Sequence, residues 1–161
     1  MVIEYKYNDI QGVNEIYRSL NKQDRVFVRG GDKKNLNKNY LIDRKEFSPK
    51  HSQIVTMYMD GKPVAYCSWD RARDEKTKQY TDECYIDFAV HSDYRGRGIA
   101  KKILKHSMDI IKRDPSYKTI KWYCLSENKA SNTLAKKYGF KWFENRRADN
   151  DDIIHGYQYK K

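Results

Sequence analysis

The chain opens on an alternating run, VIEYKY (Val2–Tyr7), which predicts a strand. Apolar positions then fall at Ile10, Val13, Ile16, Tyr17 and Leu20, the spacing of one helix face. From Asn21 to Lys50 the pattern lapses. Gly30-Gly31 and the Lys/Asn-rich DKKNLNKN predict loop with room for a short helix, and Pro49 closes the segment. Two strand-like runs follow, QIVTMYM (Gln53–Met59) and PVAYCSW (Pro63–Trp69). They flank Asp60-Gly61-Lys62, which predicts a hairpin turn. The polar stretch Arg71–Asp82 reads as a second, longer connection, and ECYIDFAV (Glu83–Val90) as the next strand. Beyond it Ile99, Ala100, Ile103, Leu104, Ser107, Met108 and Ile111 form one stripe of a helix that begins near Arg97 and stops at Asp114-Pro115. KTIKWYCL (Lys118–Leu125) predicts a strand, and NKASNTLAKKY (Asn128–Tyr138) a short helix ended by Gly139. FKWFEN and DIIHGYQY finish as strands. The order β-α-(loop)-β-β-β-α-β-α-β-β is that of an α/β protein, a mixed sheet with helices on its faces. No repeat or low-complexity linker divides the chain, so residues 1–161 read as one domain.

Composition sharpens this picture at three points. No apolar run is long enough to span a bilayer, and the opening residues lack the basic-then-apolar order of a secretory signal, so a cytoplasmic setting is expected. Cys67, Cys84 and Cys124 are odd in number, widely spaced and embedded in strand-like runs, which predicts buried free thiols. No CxxC is present and the four histidines show no ligand spacing, so no metal is expected. The 33 Lys+Arg against 22 Asp+Glu give a net charge of +11, which favours anionic partners but equally suits a solvated basic surface. Position has to decide between those readings.

One stretch does so. In VHSDYRGRGIAKKIL (Val90–Leu104) a strand passes through a short turn into a helix. N–H groups at a helix start lack acceptors within the helix and carry the positive end of its dipole. Gly96 and Gly98 remove side chains that would hold an anion away, and Arg95 and Arg97 add charged donors. Seven Lys/Arg and a single acid, Asp109, lie between Arg95 and Arg113. The pattern is a phosphate cradle, yet neither GxxxxGK[ST] nor GxGxxG is present.

Three pieces together, IDFAV, the Arg95–Ala100 loop and ENKASNTLAKKYGF, resemble the GNAT family of N-acetyltransferases. That family's acyl-coenzyme A loop reads Arg or Gln, two residues, Gly, one residue, Gly or Ala. Arg95-Gly96-Arg97-Gly98-Ile99-Ala100 matches it fully. Its second motif reads Asn, a small residue three later, then Gly-Phe, here Asn128, Ser131 and Gly139-Phe140. The likeness covers roughly Gln53 to Tyr159 and only loosely the first fifty residues. It implies a single-domain GNAT-like fold, a mixed, mostly antiparallel sheet with helices on both faces. It also implies acetyl-CoA as co-substrate, with pantetheine paired to the backbone at Phe88, Ala89 and Val90. Pyrophosphate would lie on Arg95, Gly96, Arg97, Gly98, Ile99 and Ala100, and Asn128 would contact the coenzyme. A backbone N–H near Val90 would stabilise the oxyanion.

A lysine-like acceptor of pKa ~10.4 is almost wholly protonated at neutral pH, which leaves about 4–5 kcal/mol for a base to supply. The resemblance places a base on the strand before the loop, where Glu83 and Asp87, four apart, share one face, and Glu83 is the favoured base. Many family members place a tyrosine acid seven residues after the motif Asn, where this chain has Ala135. The NxxS form is similar to the subgroup that acetylates ribosomal-protein N-termini, which makes Ser131 the candidate acid, with Tyr138 and Tyr123 as alternatives. The amine acceptor stays open: a protein N-terminus or lysine, or a small amine. The competing readings are a nucleic-acid-binding module, though no such motif is present, an acetyltransferase directed at aminoacylated tRNA, and a CoA binder without turnover. The resemblance also admits a homodimer, for which no sequence feature marks an interface.

Overall fold

The computed structural model describes residues 1–28, 50–148 and 151–161. Seven strands form one sheet in the order β1-β2-β3-β4-β5-β7-β6. They are β1 (Ile3–Tyr7), β2 (Ser52–Met59), β3 (Lys62–Arg73), β4 (Tyr80–Val90), β5 (Thr119–Leu125), β6 (Lys141–Arg147) and β7 (Ile153–Lys160). Every neighbouring pair is antiparallel except β4 and β5. Four α-helices are present among the described residues: α1 (Ile10–Ser19), α2 (Lys22–Val28), α3 (Ile99–Arg113) and α4 (Lys129–Lys137).

The expected hairpin is there. Asp60 and Gly61 both take positive φ, 50° and 79°, the two-residue turn whose twist suits antiparallel strands. The Arg71–Asp82 connection is corrected: β3 runs on to Arg73 and β4 starts at Tyr80, which leaves only Asp74–Gln79 as the bend. The polar side chains there are anchored rather than loose. Arg71 donates to the Thr81 carbonyl (3.0 Å) and to Ser116 Oγ (2.6 Å), and lies 4.0 Å over the Tyr117 ring. Within the segment expected to be mainly loop, α2 forms from Lys22, while Gly30-Gly31 and DKKNLNKN lie outside the described residues.

Strand alternation sorts the core onto two faces. Ile54, Tyr66 and Ala89 point one way and pack under Val13, Ile16, Tyr17 and Leu20 of the α1 segment. Val55, Met57, Cys67, Trp69, Cys84 and Ile86 point the other way, against Ile99, Ile103, Leu104, Met108 and Ile111 of α3. The predicted α3 stripe is the one that is buried. Helices therefore cover both faces. The α1 start is capped by Asp9, whose Oδ1 accepts from Gly12 N at 3.1 Å, a contact worth roughly 1 kcal/mol.

Candidate functional site

Strands β4 and β5 pair from Glu83↔Thr119 only as far as Ile86↔Trp122, although β4 continues to Val90 and β5 to Leu125. Past that point they part, and a cleft of about 450 Å³ opens between them. Asp87, Phe88, Ala89 and Val90 wall one side, and Trp122, Tyr123 and Cys124 the other. Consecutive strand residues face opposite ways, so the cleft passes through the sheet. Asp24, Phe27 and Val28 from the α2 segment border it on one face, and Ala130, Ser131 and Leu134 of α4 on the other. His91 N–H donates to the Val64 carbonyl of the β3 side at 2.8 Å. By alternation the N–H of Val90 points the other way, into the gap that β5 leaves.

The cradle forms one end of the cleft. A 3₁₀ turn, Ser92–Tyr94, leads out of β4, and Ser92 is pinned to the end of α1 by N–H to Ser19 Oγ (3.1 Å) and Oγ to the Ser19 carbonyl (2.6 Å). Gly96 and Gly98 adopt φ of 73° and 72°, a region that costs other residues strain, and both face open space. Helix α3 begins at Ile99, two residues later than expected, with Gly98 as its N-cap. No side chain caps it and its first turn holds no acid, so its leading N–H groups remain bare at the cleft. Arg95, Gly96, Gly98, Ile99 and Ala100 all line the cleft, joined by Lys101. Arg97 does not, and its guanidinium sits 5.3 Å over the Tyr94 ring. Arg95 Nη1 bonds Asp24 Oδ2 across 2.8 Å.

The α4 side is built from a polar network. Asn128 caps α4, its Oδ1 accepting from Ser131 N at 3.3 Å, and both residues line the cleft. Ser131 Oγ accepts from Trp122 Nε1 at 3.0 Å. Behind it the buried Asn132 donates to the Leu125 and Asn128 carbonyls (3.0 and 2.8 Å) and its Oδ1 accepts from Tyr157 (2.6 Å). That residue had no sequence signal beyond following the motif serine, because its partners lie on β5, β7 and the α4 cap.

The two carboxylates separate. Glu83 forms an ion pair with Lys121 at 2.8 Å and does not line the cleft. It lies about 13 Å down the strand from Asp87, beside the still-paired end of the ladder. Asp87 does line the cleft, and its Oδ1 accepts from the N–H of Phe88 at 2.9 Å, which holds it at the mouth of the gap. Tyr123 also lines the cleft, but its hydroxyl is committed to Glu144 at 2.6 Å, and burial together with that bond holds its pKa well above the usual phenol. The Tyr138 hydroxyl donates to the Lys101 carbonyl at 2.8 Å. All three cysteines are free and buried, and burial raises each thiol, Cys84 to about 12. Among the described residues no group of three His, Cys, Asp or Glu could hold a metal, and no helix is long and apolar enough to cross a membrane.

The model of the acetyltransferase (GNAT) family matches residues 13–140. No curated protein sequence matches the chain. Among solved structures, the GNAT domain of S. lividans PAT superposes with a TM-score of 0.75 at 14% identity, covering 99% of this chain and 90% of that one. The protein yncA from Salmonella typhimurium, solved with its cofactor acetyl-CoA, gives 0.75 at 15% identity over 99% and 94%. An acetyl transferase of Salmonella typhimurium that modifies the N-terminal serine of a 50S ribosomal subunit protein gives 0.67 at 14% identity over 100% and 96%.

Proposed function

Because the chain belongs to the acetyltransferase (GNAT) family, whose chemistry is acetyl transfer from acetyl-CoA, we propose that it acetylates a primary amine by direct attack in a ternary complex. Residues 1–161 act as one catalytic domain in this reading, and three free cysteines fit a reducing, cytoplasmic setting. The observation that carries it is the early end of the β4–β5 ladder, at a cleft that meets the uncapped start of α3.

The residues present suit the coenzyme. Gly96 and Gly98 leave open space before a helix start that has no acid of its own, and Arg95 and Lys101 stand beside it, so a diphosphate would be held there by N–H groups and cations. Phe88 and Val90 offer backbone groups to the pantetheine arm where β5 no longer pairs, and Asn128 stands at the α4 end. Bound acetyl-CoA supplies an activated acetyl group: a nitrogen–carbon bond forms as the carbon–sulfur bond breaks, and the proton lost by nitrogen balances the one gained by sulfur.

The chain's own groups then divide the work. The N–H of Val90 points into the gap and would hydrogen-bond the carbonyl oxygen as it gains charge. Asp87, at the mouth of the gap, replaces Glu83 as the base that takes the ammonium proton, since Glu83 is bound to Lys121 away from the cleft. Ser131 hydrogen-bonds the departing sulfur, with water restoring the proton, because the hydroxyls of Tyr123 and Tyr138 are already engaged. The acceptor enters from the α2 side, past Phe27 and Val28. A protein N-terminus is the acceptor we favour, on the likeness of the Asn128–Ser131 motif and fold to the ribosomal-protein acetyltransferase.

Thermal unfolding with and without CoA tests the premise. Ligand at ~100 times its dissociation constant adds about 2.7 kcal/mol to the folded state. Thiol release from acetyl-CoA with a panel of N-terminal peptides, lysine peptides and small amines then tests the acceptor. Absence of both the thermal shift and thiol release would sink the reading.

A further inference from the structure

Trp122 and Ser131 meet inside the cleft wall, nine positions apart in the chain and on different elements. The indole Nε1 lies 3.0 Å from Ser131 Oγ, and the contact is buried. An indole N–H can only donate. The serine oxygen is therefore the acceptor, and its own hydrogen must leave in another direction. The indole plane is not free to turn, because Phe88 and Phe140 meet it edge-on from centroid distances of 5.2 and 5.3 Å. Ser131 is fixed as well, by its N–H bond to the Asn128 cap at 3.3 Å.

A serine in a helix commonly returns its hydrogen to a carbonyl one turn back. Ser107 does so here, donating to the Ile103 carbonyl at 2.9 Å. Ser131 instead lines the cleft, with its oxygen accepting from the indole. Its hydrogen is directed away from the indole, with the cleft open to it.

We propose that Trp122 is a positioning residue of the transfer reaction: its N–H fixes Ser131 as a donor into the cleft, toward the sulfur on which negative charge grows as the carbon–sulfur bond breaks. This inference rests on the acid role proposed for Ser131. Without the indole N–H the serine oxygen loses its buried donor, and the hydroxyl can turn back onto the helix.

The test compares Ser131→Ala, Trp122→Phe and a chain carrying 3-benzothienylalanine at position 122, which keeps the bicyclic shape and lacks the N–H. Each is measured for kcat, for the KM of acetyl-CoA and for CoA affinity by calorimetry. The isostere is expected to lower kcat roughly tenfold, the scale of one lost hydrogen bond, with KM and CoA affinity within about twofold of the parent. Trp122→Phe is expected to show the same kcat loss, and neither change should lower kcat further in a Ser131→Ala background. An unchanged kcat in the isostere, with Ser131→Ala impaired, overturns the role of Trp122 alone. An unchanged kcat in Ser131→Ala overturns the acid assignment and this inference with it. Loss of CoA affinity in the isostere would make Trp122 a structural wall, and that too overturns the proposal.

Discussion

Arg95 and Asp24 share an ion pair at 2.8 Å that ties the glycine-bearing loop to helix α2. Asp24 is the more buried partner, and both line the cleft. A coenzyme diphosphate bound as proposed would compete with this carboxylate for one guanidinium. Arg95→Gln is expected to weaken CoA binding roughly 10- to 100-fold, the scale of a hydrogen bond to a charged group. Asp24→Asn is expected to tighten it by up to about fivefold, as befits a partly exposed pair. Calorimetric titration with CoA reads both. Weaker binding in Asp24→Asn would mean that the carboxylate orients Arg95 instead of restraining it.

Gly98 caps α3 with φ of 72° and faces open space. Gly98→Glu places a side chain and a negative charge where the bare N–H groups point. The fold should lose only about 1–2 kcal/mol, a few degrees of Tm, for the strained backbone. CoA binding should be abolished. Retained CoA affinity, measured on a variant with a normal melting transition, refutes the cradle.

His106 on α3 stacks on Tyr5 at 3.7 Å and bonds the Tyr7 hydroxyl through Nε2 at 2.9 Å, fastening β1 to the helix. Burial holds its pKa below the ordinary imidazole value, against a smaller opposing pull from Asp109. The unfolded chain therefore takes up this proton first as pH falls. The contribution of the group is complete above about pH 6.5 and shrinks as pH falls from there toward the folded value. His51, stacked on Tyr80 and lowered by desolvation and then by Lys50, Arg71 and Arg73, contributes with the same sign. Urea denaturation at pH 7.5 and 5.5 should show a loss of stability that is smaller in His106→Gln.

Asn132 satisfies two carbonyls and two side chains from inside the α4–β5–β7 junction, since His155 Nδ1 also lies 2.9 Å from its Oδ1. Removing it leaves several buried groups without partners. Asn132→Ala should cost roughly 2–4 kcal/mol in denaturant unfolding. CoA affinity should fall too, because Asn128 is held through its carbonyl. A stability loss below about 0.5 kcal/mol would show that water replaces the amide without penalty.

The elements with strong periodicity were legible in the residues: the β2–β3 hairpin, the α3 stripe, and the strand–loop–helix order around Arg95. Polarity misled at Arg71–Asp82, because Arg71 and Thr81 satisfy their groups on partners that pattern reading cannot see. Glu83 and Asp87 show a subtler limit. Alternation states which face a side chain takes, but not where along the strand the neighbour stops pairing, and that endpoint puts Asp87 and not Glu83 beside the cleft. Arg97 lay in the matched motif and still turned onto Tyr94. Trp122 and Asn132 escaped for a third reason: their roles arise from partners brought close only by folding.

Because the opening runs right through the sheet, its two mouths are bordered by unrelated segments, α2 on one face and α4 on the other. In the proposed reaction, donor and acceptor would then approach from opposite sides without exchanging places. A lineage built on this plan could rewrite Phe27 and Val28 for new acceptors, while Asp24 keeps its hold on Arg95.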